Sequence, residues 1–209
     1  MPLPLIAAAA IPVAAKIGIG VGVGVAVLGL IGIGVAAFKF KTANKNDEAD
    51  LTVLLVGEQA AGKDAVMNLI ENNAFNELYE ATAKYYTIMT EVKGKKIKII
   101  NTSGSELTLE DTEEATLLKH NIRCYVFNSI EFYENKDIVK GINHAKNDIK
   151  GIEEKENRKI ELIAIGTRGD SISNKDSIEN NVRKNGVKCK IFELSKKPRE
   201  EILKYIFNI

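Results

Sequence analysis

Charge is what the first part of this chain lacks. Residues 1–38 of the 209 contain one charged side chain, Lys16, and no acidic residue occurs before Asp47. The remainder lacks an imbalance. Lys16 is one of 29 basic groups, so residues 39–209 hold 28 basic and 28 acidic side chains. A domain with no basic excess has no electrostatic footprint for nucleic acid, and that class of partner is set aside. Cysteine is scarce too: Cys124 and Cys189 are too few for a disulfide framework or a cysteine metal site. Each stands in a β-like run, "IRCYVF" and "VKCKIF", which predicts small buried thiols in a reducing compartment. The length allows one domain of ordinary size plus an appendage.

The appendage is the uncharged stretch. "IGIGVGVGVAVLGLIGIGVAAF", residues 17–38, is long enough for a helix to cross the hydrocarbon core of a bilayer. Its glycines oppose a helix in water, but in lipid the backbone must satisfy its own hydrogen bonds. Gly18/Gly22 and Gly20/Gly24 put small residues four apart, the spacing for close helix–helix approach. A secretory signal does not fit, because no basic region precedes the apolar run. The segment before it is also apolar, so a re-entrant hairpin over 3–38, broken near Pro12 and Lys16, is the alternative to a single span. Lys39, Lys41 and Lys45 follow the span, which predicts a single-pass membrane protein with the following domain in the cytoplasm. Residues 39–50 are polar and aperiodic, and read as a linker.

From 51 onward the pattern is α/β. "LTVLLV" (51–56) is a continuous apolar run of strand length, the mark of a strand buried on both faces. A helix follows from about Asp64, with Val66, Met67, Leu69 and Ile70 inward. "YTIMTEV" and "KKIKII" flank "KG", a hairpin with glycine in its turn. "EDTEEATLLK" (110–119) reads as a helix ending at Lys119, "IRCYVFN" (122–128) as a strand, and Ile138, Ile142, Ala145 and Ile149 as the inner stripe of another helix. "IELIAIG", "KDSIENNVRKN" with Gly186 as its stop, "VKCKIFEL" and "PREEILKYIF" continue the alternation, with Pro198 in the last helix's first turn. The expectation is a mostly parallel six-stranded sheet with one antiparallel strand, covered by helices. Ligands of such sheets bind at the carboxyl ends of the strands.

Four polar strings fall after predicted strands. The first, "GEQAAGKD", supplies Gly57, Gly62 and Lys63 of G-x-x-x-x-G-K between a buried strand and a helix, the setting in which backbone N–H groups cradle phosphate. The others are Asn101-Thr102-Ser103-Gly104, Thr167-Arg168-Gly169-Asp170 and Ser195-Lys196. For 167–170 a plain surface turn is the competing account.

With these strings in this order, residues 51–209 resemble the GTP-binding domain of the translation-factor and small-GTPase class. The resemblance implies GTP and GDP as ligands, with Gly104 sensing the terminal phosphate. Thr167 and Asp170 match the guanine-reading motif, Asp170 accepting from guanine N–H groups that adenine does not offer. Arg168 replaces the usual lysine and can stack on the base. Ser195 and Lys196 match the last motif without its alanine. Gln59 in the phosphate loop and the threonine opening the base motif resemble dynamin-like GTPases, in which the glutamine lies near the catalytic machinery and a homodimer across the nucleotide faces completes it. The chain has no room for the long stalk of true dynamins. Thr82 is the expected switch threonine, since Thr87 and Thr90 fall within a strand.

Two positions depart from that family, both at its Mg²⁺ site. Asp64 replaces the Ser/Thr ligand, and Asn101 replaces the aspartate that holds the ion through water. The formal charge is unchanged, so one expectation is an exchanged Mg²⁺ site of Asp64, Thr82 and Asn101, with Asp64 a direct ligand and Asn101 a neutral hydrogen-bond partner. The other is a decayed site in which Asp64 only caps the helix. Ser105 stands where a water-orienting glutamine is usual, so hydrolysis is expected to be slow or partner-dependent. A non-hydrolysing interaction module is the alternative function, while Thr167–Asp170 disfavours an ATPase or kinase. His120 and His144 read as solvated surface residues.

Overall fold

The computed structural model describes residues 49–75, 85–102 and 119–208. All lie in the second of the two units into which the chain divides, Phe40–Ile209. The apolar segment 1–38, most of the linker, Thr82, Ser103, Gly104, Ser105 and nearly all of the 110–119 helix fall outside the described residues.

Six strands form one sheet: β1 (Leu51–Val56), β2 (Tyr85–Val92), β3 (Lys95–Thr102), β4 (Ile122–Asn128), β5 (Glu161–Thr167) and β6 (Lys188–Ile191). Their spatial order is β2-β3-β1-β4-β5-β6, and only the β2–β3 pair is antiparallel. The α/β fold and the single antiparallel strand are as expected. The β2–β3 turn places Lys93 at φ 51° and Gly94 at φ 77°, the doubly left-handed turn that matches the twist of a two-residue hairpin. The strand read over 187–194 is shorter, ending at Ile191 before a short 3-10 turn at Leu194–Lys196.

Strand alternation sorts the core into two layers. Val53, Leu55, Ile97, Ile99, Cys124, Val126, Ile163 and Ile165 point to one face, where helices α1 (Lys63–Asn72) and α4 (Arg199–Phe207) cover them. Tyr125, Phe127, Ala164, Cys189 and Ile191 point to the other, under α2 (Lys136–Glu156) and α3 (Lys175–Lys184). The α2 stripe of Ile138, Ile142, Ala145 and Ile149 is buried as its spacing predicts. Both cysteines are buried and free; burial pushes the Cys124 thiol up and Cys189 up to about 12, so neither is a nucleophile at neutral pH.

The helix ends have identifiable partners. Helix α1 has no basic residue in its last turn, and Arg199 of α4 supplies one, donating from Nε to the Ile70 carbonyl at 2.9 Å. Pro198 is the N-cap of α4 rather than a residue of its first turn. Asp50, assigned to the linker, belongs to the sheet margin: its N–H donates to Lys96 O at 2.9 Å, and its carboxylate accepts from Lys96 N at 2.7 Å. No helix among the described residues is long and apolar enough to cross a membrane.

His120 corrects the surface expectation. It is fully buried, its Nε2 accepting from Arg123 Nε at 3.3 Å and its carbonyl accepting from Arg158 Nη1. The Arg123 guanidinium is itself buried and lies 3.5 Å from Asp148. Burial pushes that guanidinium down, and Asp148 opposes the shift. The cluster lies at the start of β4, the sheet edge opposite the four polar strings. His144 is exposed, as read, 3.5 Å from Asp148.

Candidate functional site

The strand order changes direction at β1. The chain leaves β1 for β3 on one side, then returns to β4 on the other, so the carboxyl end of β1 opens between two diverging connections. The loop 57–62 sits at that point, and α1 begins at Lys63. Asn101 and Thr102 end β3, Thr167 ends β5, and Ser195-Lys196 follow β6. The described residues of all four strings therefore lie at one edge of the sheet.

The loop packs tightly against its neighbours. A β-carbon on Gly57, at φ 141°, would stand 2.0 Å from the Val126 carbonyl oxygen of β4. One on Gly62 would stand 2.8 Å from Thr167 Cγ2. Thr167, 1% exposed, donates its hydroxyl to Ala61 O at 2.9 Å and lies 3.2 Å from Phe127 O. The first residue of the 167–170 string thus touches the loop 57–62 directly. Arg168 takes a left-handed conformation (φ 57°) and, with Asp170, is exposed at the rim. Gly169 N donates to Phe192 O at 3.0 Å, which ties this string to the segment after β6. A hydrogen bond from Lys196 to Glu193 raises the Lys196 ammonium, and the charge of Asp170 adds to the effect.

Lys63 is only 5% exposed and curls back over the loop, donating from Nζ to Gly57 O and Glu58 O, both at 2.8 Å. Burial pushes its ammonium down to about 8, against the raising influence of Asp64 and Glu58. Asp64, in the first turn of α1, accepts from Asn101 Nδ2 at 2.6 Å. The two residues that depart from the family pattern are therefore in contact across 37 positions of sequence. Asn101 is fully buried, and its Oδ1 accepts no hydrogen bond among the described residues, a cost of about 1–3 kcal/mol in a closed interior. Tyr86, the Cα partner of Asn101 on β2, completes this corner; burial and then Asp64's charge push its phenol up.

Asp64 and Asn101 offer a carboxylate and a buried amide oxygen, both hard donors of the kind Mg²⁺ takes beside phosphate oxygens and water. Among the described residues no three His, Cys, Asp or Glu side chains gather into a cluster. Gln59 is exposed on the loop. A groove of about 470 Å³ lies between the end of α1 and the start of α4, lined by Asn72, Asn73, Lys196, Lys197, Pro198 and Arg199 among others. It adjoins the string after β6 but includes no residue of the loop 57–62.

Sequence reasoning did not find Glu58 or Asn135. Glu58 Oε2 accepts from Asn135 Nδ2 at 2.9 Å, a bond across 77 positions that no local pattern announces. No protein-family model matches the chain, and no curated protein is significantly similar to it.

Proposed function

We propose that this chain is a membrane-anchored guanine-nucleotide-binding protein of the GTPase-like class, with slow or partner-dependent hydrolysis. One observation carries the reading: Thr167 donates to the Ala61 carbonyl and abuts Gly62, so the candidate base-reading string and the candidate phosphate loop form one continuous rim. The strand order, with its reversal above the loop, supports the same reading. In it the loop N–H groups and Lys63 hold the phosphates, Arg168 and Asp170 face guanine, and Ser195-Lys196 support the base. Asp64, with Asn101 as its hydrogen-bond partner, would hold Mg²⁺, whose charge would offset that of the phosphates. The apolar residues 17–38, with lysines at 39, 41 and 45, support a membrane anchor and a cytoplasmic domain. A homodimer across the nucleotide faces, with Gln59 at the reacting phosphate, is the arrangement the dynamin-like letters suggest.

The alternative is an interaction module that kept the fold and does not hydrolyse. The Asp64–Asn101 hydrogen bond favours it, because the carboxylate is already engaged by a protein amide. Titrating Mg²⁺ against the affinity of a GTP analogue separates the two. Mg²⁺-dependent binding that weakens in Asp64→Asn supports the exchanged metal site. Binding without Mg²⁺ dependence in the native chain, with dependence created by Asp64→Ser plus Asn101→Asp, supports the decayed site.

A further inference from the structure

The loop 57–64 is an unusual anion cradle, because it carries two carboxylates, Glu58 and Asp64, against one cation, Lys63. A loop with that balance repels a polyphosphate unless its acids are held aside. Each acid is in fact held by an asparagine amide: Asp64 by Asn101 at 2.6 Å and Glu58 by Asn135 at 2.9 Å. The second clamp belongs to none of the four polar strings. Asn135 uses both ends of its side chain: Oδ1 accepts from Asp137 N at 2.9 Å and caps helix α2, while Nδ2 donates to Glu58.

The direction of Glu58 follows from its neighbours. Its carboxylate is bonded to the N-cap residue of α2, and Glu58 lines a small pocket with Tyr125, Asn128, Glu131 and Ile138; Tyr125 packs on the α2 face of the sheet, while α1 covers the opposite face. Asn135 thus holds the carboxylate at the start of α2.

We infer that Asn135 is a positioning residue of the phosphate site: by clamping Glu58 it keeps a negative charge out of the cradle, and by capping α2 it ties the loop's conformation to that helix. The inference rests on the nucleotide reading above and deepens it, since it names a residue on which phosphate affinity depends without contact to the phosphate.

The test uses the full chain and equilibrium binding of GDP and a non-hydrolysable GTP analogue. Asn135→Asp keeps the helix cap and sets a carboxylate against Glu58; Asn135→Ser keeps the cap and removes the amide. Both variants should bind with Kd raised roughly ten- to hundredfold. Glu58→Gln alone should bind at least as well as the native chain. Glu58→Gln combined with Asn135→Asp inverts the hydrogen bond, the introduced amide at position 58 donating to the introduced carboxylate at position 135, and should restore native affinity. Unchanged affinity in both single variants overturns the inference and leaves the nucleotide reading standing. So does a loss that Glu58→Gln fails to rescue, which would assign Asn135 to the cap alone. Failure of the native chain to bind either nucleotide sinks the nucleotide reading, and the inference falls with it.

Discussion

A β-carbon on Gly57 would sit 2.0 Å from the Val126 carbonyl oxygen, and the residue's φ of 141° lies outside the range of ordinary side chains. Gly57→Ala is therefore expected to cost more than ~2 kcal/mol in urea unfolding and to displace the loop, with loss of nucleotide binding. A native-like midpoint would contradict that packing. Lys63 gives a pH-dependent prediction. Its ammonium ordinarily loses its proton near 10.5 but in the fold near 8, because burial disfavours the charge. Above pH 8 the folded state releases this proton before the unfolded state does. Stability should then rise with pH between about 8 and 10.5, by up to ~1.4 kcal/mol per unit relative to Lys63→Met. Urea unfolding of the pair near neutral pH and near pH ~9.5 measures it; an unchanged difference would mean that the amine is not desolvated. At this scale sequence reading was uneven. The strand, loop and helix around Gly57, Gly62 and Lys63 were legible because an apolar run, two glycines and an amphipathic stripe follow one another directly. Burial of His120 was not, because it depends on Arg123 and on Arg158, which arrives from 38 residues away.

Helix α2 contains two glycines in different surroundings. A β-carbon on Gly141 would meet the Tyr125 hydroxyl at 2.1 Å, whereas one on Gly151 would meet nothing within 4 Å. Gly151→Ala should stabilise the protein by roughly 0.5–1 kcal/mol through helix propensity. Gly141→Ala gains the same propensity but must push Tyr125 aside, and is expected to be net destabilising. Paired thermal melts decide this, and equal shifts would mean that Tyr125 does not press on the helix. The strands were legible as elements because parallel strands buried on both faces form continuous apolar runs: β1 and β4 occupy the expected residues. The role of Gly141 was not legible. From sequence it is only a weak point in a helix, and the tyrosine that explains it stands on β4, across the sheet–helix interface.

Across the whole molecule, the gathering of four separated strings at one sheet edge was readable because strand order and the right-handed crossover leave few alternatives. The clamps on Glu58 and Asp64 were not, since asparagines at 101 and 135 have no spacing signature relative to the loop. If nucleotide faces pair, specific GTP turnover by the native chain should rise with protein concentration, and Gln59→Ala should remove that rise; turnover independent of concentration would argue for a monomeric switch. The central claim is that this rim binds a guanine nucleotide. Equilibrium binding of GDP, a GTP analogue, ADP and an ATP analogue to the full chain, with and without Mg²⁺, tests it most directly. Saturable binding of the guanine pair alone is expected, weakened by Lys63→Met and by Asp170→Ala. Binding of neither pair, or equal binding of both, would contradict it.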